Sequence, residues 1–479
     1  MVKGFLEKYR LLPIQVKASL WFVVSNVLVR GISFITLPIF ARLLTTEDYG
    51  IIGVYQSWVS IISIITTLTI WGGVFNVGMV KYEKRIPEMI SSFQGMAVSI
   101  TLFVFSLTML LYPLLQNVFR LPRFLVVCAF TEIVFQIPFN LWSCEQRYQY
   151  KYKLLITISF VMSFLNPIIG YCLVVNSPNK AEARIIGGVL VQTIIGLVFF
   201  FYNFLKGKKF YSLEFWKWGF IFNIVLVPHY LSMQVLNQAD RIMISGICGD
   251  SDAGVYNVAY TFAMLLSLVT SGINSSLTPH IYQSIKSGNA DKLKTQTTAL
   301  IGIVAILAIG LIAFIPDVFH LLLPESYYSA LKCIPPVTAG AFFLFLYPLF
   351  GAVEFYYEEN KYVTFASIIG AMLNIFLNFV FIRIFGYIAA AYTTLFCYIC
   401  FSVCHYIFMK RIMRQKGNKC DIYDIKAIIL ISLSVIFISV LMVFIYDINI
   451  VRWIVIVLIL LVGIIKRNRI IDVLKSIRK

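Results

Sequence analysis

Charge is scarce in this chain: Asp, Glu, Lys and Arg make up 13% of its 479 residues, and the acids number only 22. That is about half the share of an average globular domain, too little to cover the surface a water-soluble fold presents. Long polar stretches are missing as well. Few breaks between apolar blocks exceed about fifteen residues, which excludes an inserted soluble enzyme domain. Period-two alternation is absent from the apolar blocks, and this excludes a membrane β-barrel. The nine cysteines contain no C-x-x-C pair joined to a second such pair. Their tightest group, Cys397, Cys400 and Cys404, lies in an apolar run and reads as small core residues rather than a metal site.

What is present is hydrophobic: 60% of the chain, about 287 side chains, with 41 Phe and 27 Tyr. At roughly 20 apolar residues per spanning helix, this composition belongs to an all-α membrane protein with many spans. Fourteen blocks follow one another, at 18–41, 51–75, 89–115, 123–143, 154–175, 185–205, 219–244, 253–280, 295–315, 327–352, 362–382, 387–409, 425–446 and 450–465. The formal charge of +18 is spread in short runs between them. Nucleic acid is therefore excluded as a partner, since phosphate tracking needs clustered basic residues on a solvated face. With the N-terminus in the cytoplasm, the inner segments carry 30 Lys and Arg and the outer loops nine, which predicts a multi-pass membrane protein with both ends cytoplasmic. The basic segments 1–17 and 466–479 carry apolar residues at helical spacing and read as interfacial helices; no signal-peptide cleavage site is seen in the first.

Laying Thr45–Gln56 over Gly249–Tyr260, an offset of 204, matches Asp48 with Asp252, Gly50 with Gly254 and Val54 with Val258. Both segments join the first and second spans of a six-span set, so the halves share one orientation, as in parallel-repeat transporters. The expected organisation is a six-helix bundle over 18–205, a cytoplasmic linker over 206–217, a second six-helix bundle over 218–409, a basic loop over 410–424 and two further spans over 425–465, with a central cavity between the bundles.

Chemistry in such a chain must come from few residues. Acids at span ends, such as Glu47, Asp48, Asp250 and Asp252, are explained by helix capping. No phosphate-transfer, nucleophile or metal motif stands out, so an enzyme is not expected. Ionisable groups at bilayer depth are the sharper signal, because their cost normally demands a partner or a water-filled cavity. These are Arg30 at the centre of span 1, Glu132 in span 4, His229 beside Pro228 in span 7, and Asp240 with Arg241 in the outer third of span 7. Each has a bland alternative: Arg30 pairing Glu132 as a strut, Asp240 neutralising Arg241, His229 as a core histidine. Pro38, Pro228 and Pro279 fall on spans that correspond in the two halves and could bend them.

The stretch Leu37–Tyr55, with Pro38, Arg42, Leu44, Glu47, Asp48, Tyr49 and Gly50, resembles the first helical hairpin of polysaccharide flippases of the Wzx type. Gln238–Tyr260, with Asp240, Arg241, Gly254, Tyr256 and Ala259, resembles the same family's seventh and eighth spans. The family sits within the superfamily of multidrug, oligosaccharidyl-lipid and polysaccharide exporters. The resemblance implies alternating access and movement of an undecaprenyl-diphosphate-linked oligosaccharide, destined for O-antigen or exopolysaccharide, from the cytoplasmic to the outer leaflet. It implies no cofactor beyond coupling by H+ or Na+. The implied partners are the lipid-linked glycan, membrane lipids, and polysaccharide polymerase and chain-length proteins. Drug exporters of the superfamily place an acid in the first span, whereas Arg30 favours an anionic cargo. Lipid II flippases carry an Arg-Asp pair there, while Gly31 follows Arg30 in this chain. The alternatives are an exporter of small amphiphiles and a membrane polymerase or ligase.

Overall fold

The structure is a computed structural model that describes residues 13–287, 290–417, 421–446 and 448–465. Eighteen α-helices and two short 3-10 segments account for nearly all of them, with no strand among the described residues. The first half of the chain forms α1 (Ile14–Leu43), α2 (Thr46–Thr67), α3 (Gly73–Lys81), α4 (Ile86–Leu110), α5 (Tyr112–Phe119), α6 (Arg123–Tyr148), α7 (Tyr152–Val175), α8 (Lys180–Gly207) and α9 (Leu213–Ile224). The second forms α10 (Val227–Cys248), α11 (Asp250–Ala263), α12 (Leu266–Ser287), α13 (Ala290–Leu322), α14 (Ile334–Tyr356), α15 (Asn360–Phe385), α16 (Ile388–Gln415), α17 (Ile425–Ile445) and α18 (Asn449–Ile465). Eleven helical segments are long and apolar enough to cross a bilayer, and the bent pairs α9–α10 and α11–α12 bring the number to thirteen. The fourteenth expected block is α18, a shorter apolar helix. The interfacial helices expected at the termini lie outside the described residues, except that Ile14–Lys17 continue into α1.

Local chemistry sets the helix boundaries. Thr45 opens α2 with a capping box: its hydroxyl accepts from the Asp48 amide at 3.1 Å, and the Asp48 carboxylate accepts from the Thr45 amide at 2.9 Å. Thus Asp48, the first residue of the sequence repeat, is a cap. Its counterpart Asp252 sits in the first turn of α11, behind Gly249 at φ 103, a conformation that suits glycine. The apolar block expected over 51–75 is interrupted where Leu68 and Thr69 both take left-handed conformations, and α3 restarts after them. The α9–α10 break bends by 53° just before Pro228. The α11–α12 break bends by 44° at Met264–Leu265, so Pro279, inside α12, is not its cause.

Two compact units divide the chain between Gln234 and Val235. The first extends beyond the expected boundary at 205–218 because α9 packs back onto α3 and α4, with Trp218 against Tyr82 and Phe93 and Phe215 in a core with Phe75, Met89 and Phe93. Helices in this unit approach closely at glycines, as spanning helices do where apolar lipid gives no drive to associate. A Cβ at Gly196 of α8 would lie 2.2 Å from the Phe135 carbonyl oxygen of α6, and one at Gly187 would lie 2.7 Å from Gly170 Cα of α7. In the second unit α14 is the buried centre, packed by α12, α13, α16 and α17. The two C-terminal helices are part of this unit: Tyr446, following α17, donates its hydroxyl to the Ile312 carbonyl of α13 at 2.9 Å, and Arg452 of α18 pairs with Asp317 of α13 at 2.9 Å.

Candidate functional site

In the first unit, α1 carries Arg30 at mid-helix on its exposed side. Asn26 and Ser33, one turn before and one turn after, are exposed with it. These positions, i, i+4 and i+7, form a polar stripe along one face. Burial on α1 gathers toward its C-terminal end, where Leu37, Phe40 and Ala41 are packed, and the mid-helix part of this face is left exposed. An exposed polar stripe with a guanidinium at half the depth of a span is costly against lipid and cheap against water.

Glu132 of α6 is not the partner of Arg30. Its carboxylate accepts the Tyr55 hydroxyl of α2 at 2.7 Å, and the nearby cation is Arg184 of α8. Arg184 stacks over the Phe40 ring at 4.6 Å, and its Nη1 passes 3.1 Å from where a Gly170 Cβ would stand. The glycine makes room for the guanidinium. His229 is half-buried on α10 with its ring 5.4 Å from that of Tyr230.

In the second unit Asp240 and Arg241 are both buried, yet they do not pair. Successive helix positions point about 100° apart, and each residue finds partners on its own side. Asp240 accepts the Tyr256 hydroxyl of α11 at 2.7 Å, the Thr394 hydroxyl of α16 at 2.7 Å and the Asn378 side-chain amide of α15 at 2.6 Å. Asn378 also donates to Asn374 Oδ1 at 3.2 Å and accepts from Thr393. Arg241 donates to Asn257 Oδ1 at 2.8 Å, to Gln238 Oε1 at 2.7 Å and to the Asn237 carbonyl at 2.9 Å, and lies over the Tyr260 ring at 4.2 Å. Asn237 Oδ1 in turn accepts the Tyr398 hydroxyl at 2.6 Å. Arg241 is therefore a neutral-partner clamp on α11, whereas Asp240 is a carboxylate ringed by neutral oxygen- and nitrogen-bearing side chains from three helices. Hard oxygen donors around one carboxylate suit a proton or an alkali cation. Among the described residues no group of three or more His, Cys, Asp and Glu could hold a metal ion.

Sequence reasoning missed Tyr55, Arg184, Asn374, Asn378 and Thr394, and named Tyr256 only for the resemblance it carries. Asn374 and Asn378, four residues apart inside an apolar span, were a visible signal: two amides on one helix face at bilayer depth need a shared polar partner.

Comparisons with known proteins agree with this architecture. The family model described as polysaccharide biosynthesis protein matches residues 16–285, and the MatE model matches 226–380. A protein of the Haemophilus influenzae Lsg locus is 22% identical over 382 residues, covering 75% of this chain and 89% of its own length. A second membrane protein of that organism is 22% identical over 377 residues, covering 75% and 88%. Among solved structures, the lipid II flippase MurJ in an inward closed conformation is similar with a TM-score of 0.70 at 14% identity, over 95% of this chain and all of that one. An inward-facing multidrug resistance transporter of the MATE family gives 0.63 at 15% identity, over 84% and all of its chain. The two solved structures are those of a flippase and a multidrug transporter, and this chain shares their fold. With more than half its length matched by the family model, a fold shared with such transporters and spans enough for a multi-pass membrane protein, the chain belongs to the polysaccharide biosynthesis protein family.

Proposed function

We propose that the protein moves a polyprenyl-diphosphate-linked oligosaccharide, with undecaprenol as the lipid, from the cytoplasmic to the outer leaflet of the bacterial inner membrane by alternating access. The observation that carries this reading is the exposed stripe of Asn26, Arg30 and Ser33 at mid-span. A diphosphate is bound well by a planar, always-charged guanidinium. Flanking amide and hydroxyl groups suit sugar hydroxyls, and the lipid tail can stay among apolar helix faces. Deleting the gene is expected to accumulate lipid-linked repeat units facing the cytoplasm, read by their accessibility to an enzyme admitted only to that side. Exported but unjoined units would instead indicate a polymerase, and altered drug tolerance alone an exporter of amphiphiles.

Asp240 is the residue we assign to coupling by H+ or Na+, since its carboxylate has three neutral donors and no cation. Arg241, Glu132 with Arg184, and His229 shape the polar interior of their units. Polysaccharide polymerase and chain-length proteins are the partners that would take up the product.

Both termini are placed in the cytoplasm by the 30 to 9 distribution of basic residues. Single cysteines near Asp48 and Asp252 are expected to react with an impermeant thiol reagent in intact cells. Cysteines near Lys84, Lys208 or Arg414 should react only after lysis; labelling of that second group from outside would reverse the orientation.

A further inference from the structure

Each unit joins a buried acid near the end of its fourth span to a base on its sixth. In the first unit Glu145 of α6 is 2% exposed and accepts from Lys206 Nζ of α8 at 2.8 Å. In the second, Glu354 of α14 meets His405 Nδ1 of α16 at 2.8 Å, with both side chains wholly buried. The helix ends beside the two acids are built alike. Tyr150 and Glu358 take left-handed conformations, and Lys151 and Glu359 donate their amides five residues back to Gln146 and Glu354, each at 2.9 Å. In that register Glu354 falls on Gln146 and not on Glu145, so the two acids sit one residue apart on matching turns, and their bases differ in kind. Lysine is a permanent cation whose head reaches water, at 39% exposure. The imidazole is sealed, and it is the side chain that titrates near neutrality.

Two further atoms mark the second pair. Glu354 Oε2 and His405 Nε2 are buried with no hydrogen-bond partner among the described residues. With a single proton between Nδ1 and Oε1, the pair carries one negative charge in a dry site, the state that burial disfavours most. One more proton, taken at Nε2 or Oε2, makes the pair neutral overall. Among the described residues no other cation faces the pair. On α14 the Tyr347 ring stands 5.4 Å from His405, and on α16 Phe401 meets it edge-on at 4.6 Å while Cys404 adjoins it. Ahead of α17, the Tyr423 hydroxyl is committed to the Leu349 carbonyl at 2.6 Å; on α12, Tyr282 packs on Tyr356. At the loop, Glu359 is engaged by Lys361 at 3.0 Å and Lys416 at 3.7 Å, with Lys361 chiefly holding its carboxyl below the ordinary range.

We propose that Glu354 and His405 form a proton-binding site, distinct from the Asp240 cluster, which gains and loses one proton during the transport cycle and so changes how α14 and α16 are held together. This rests on the transport reading and deepens it, because it names a proton as a coupling ion.

The four histidines allow a direct test on the purified full-length protein in lipid nanodiscs. With histidine labelled by nitrogen-15, the resonances of His405 are those absent from His405→Lys. They are expected to change from neutral imidazole to imidazolium as the pH is lowered. In Glu354→Gln, where no carboxylate remains to balance a buried cation, they should stay neutral to the lowest pH reached. A wild-type His405 fixed in one protonation state, or an unchanged titration in Glu354→Gln, overturns the site. His405→Lys sets beside Glu354 a base whose ordinary pKa lies far above neutrality, so glycan transport by proteoliposomes should lose the pH dependence of the wild type; retained pH dependence overturns the coupling role. If the wild type moves no lipid-linked glycan, the transport reading fails while the histidine titration still decides the site.

Discussion

Asp240→Asn is expected to abolish glycan transport while leaving the protein in the membrane at near-normal abundance. The carboxylate oxygens accept three hydrogen bonds, two at Oδ2 from Tyr256 and Thr394 and one at Oδ1 from Asn378. An amide replaces one oxygen by a donor. Asn378 cannot answer by turning its own amide round, because its oxygen already accepts from Thr393. In one orientation the new amide faces the Asn378 amide donor to donor; in the other the Tyr256 and Thr394 hydroxyls must accept and lose the carboxylate they donated to, and either way the cost is ~1–3 kcal/mol. The variant also loses the only formal charge in the cluster that could attract a cation. Thr394→Ser keeps the hydroxyl and should transport normally, whereas Thr394→Val should lose about tenfold, equivalent to roughly 1.4 kcal/mol. The binding arm needs no transport assay. A ligand that binds the folded state raises the melting temperature in proportion to RT ln(1 + [L]/Kd). Wild-type protein should therefore be stabilised by Na+ and Asp240→Asn should not, while mild acid should stabilise Asp240→Asn less than the wild type, leaving the share that belongs to Glu354 and His405. Equal stabilisation of both proteins would take Asp240 out of the coupling site.

This cluster also marks where the sequence stops being legible. Fourteen apolar blocks correspond to thirteen spans and a shorter apolar helix, because a bilayer imposes length and composition on every segment independently of its neighbours. Breaks inside a block depend on backbone conformation and are harder to read: two left-handed residues end α2 early, although Leu68 and Thr69 look like ordinary members of an apolar run. Asp240 is visible as an acid within a span. Its partners Asn378 and Thr394 lie 138 and 154 residues away, and only tertiary packing brings them to it. Adjacent opposite charges suggested that Asp240 and Arg241 neutralise one another; helical geometry separates them, and each side chain follows its own face. Arg184 reads as one more outer-loop cation by the positive-inside count. In the structure it is drawn into the unit over Phe40, in a gap that Gly170 leaves, and takes the place beside Glu132 that the strut alternative gave to Arg30.

That exchange of partners sharpens the prediction for Arg30. Were Arg30 a strut paired with Glu132, removing its charge would orphan a carboxylate, and Glu132→Gln would repair the damage. Glu132 instead accepts from Tyr55 and has Arg184 nearby, so the second substitution should restore nothing. Arg30 lies with Asn26 and Ser33 on the exposed face of α1, where a charge facing lipid would cost ~2.5–3.5 kcal/mol on insertion scales. A face in contact with water and with an anionic substrate removes most of that cost. Arg30→Lys retains the charge and loses the planar fork that matches two phosphate oxygens, so transport should fall only in part. Arg30→Gln should reduce it to near zero, and because the side chain is not packed in the core, membrane abundance should hold. The measurement is surface glycan restored to a flippase-deficient strain, with the protein quantified in the same membranes. Full complementation by Arg30→Gln, or recovery in the Arg30→Gln, Glu132→Gln double variant, would place the diphosphate elsewhere.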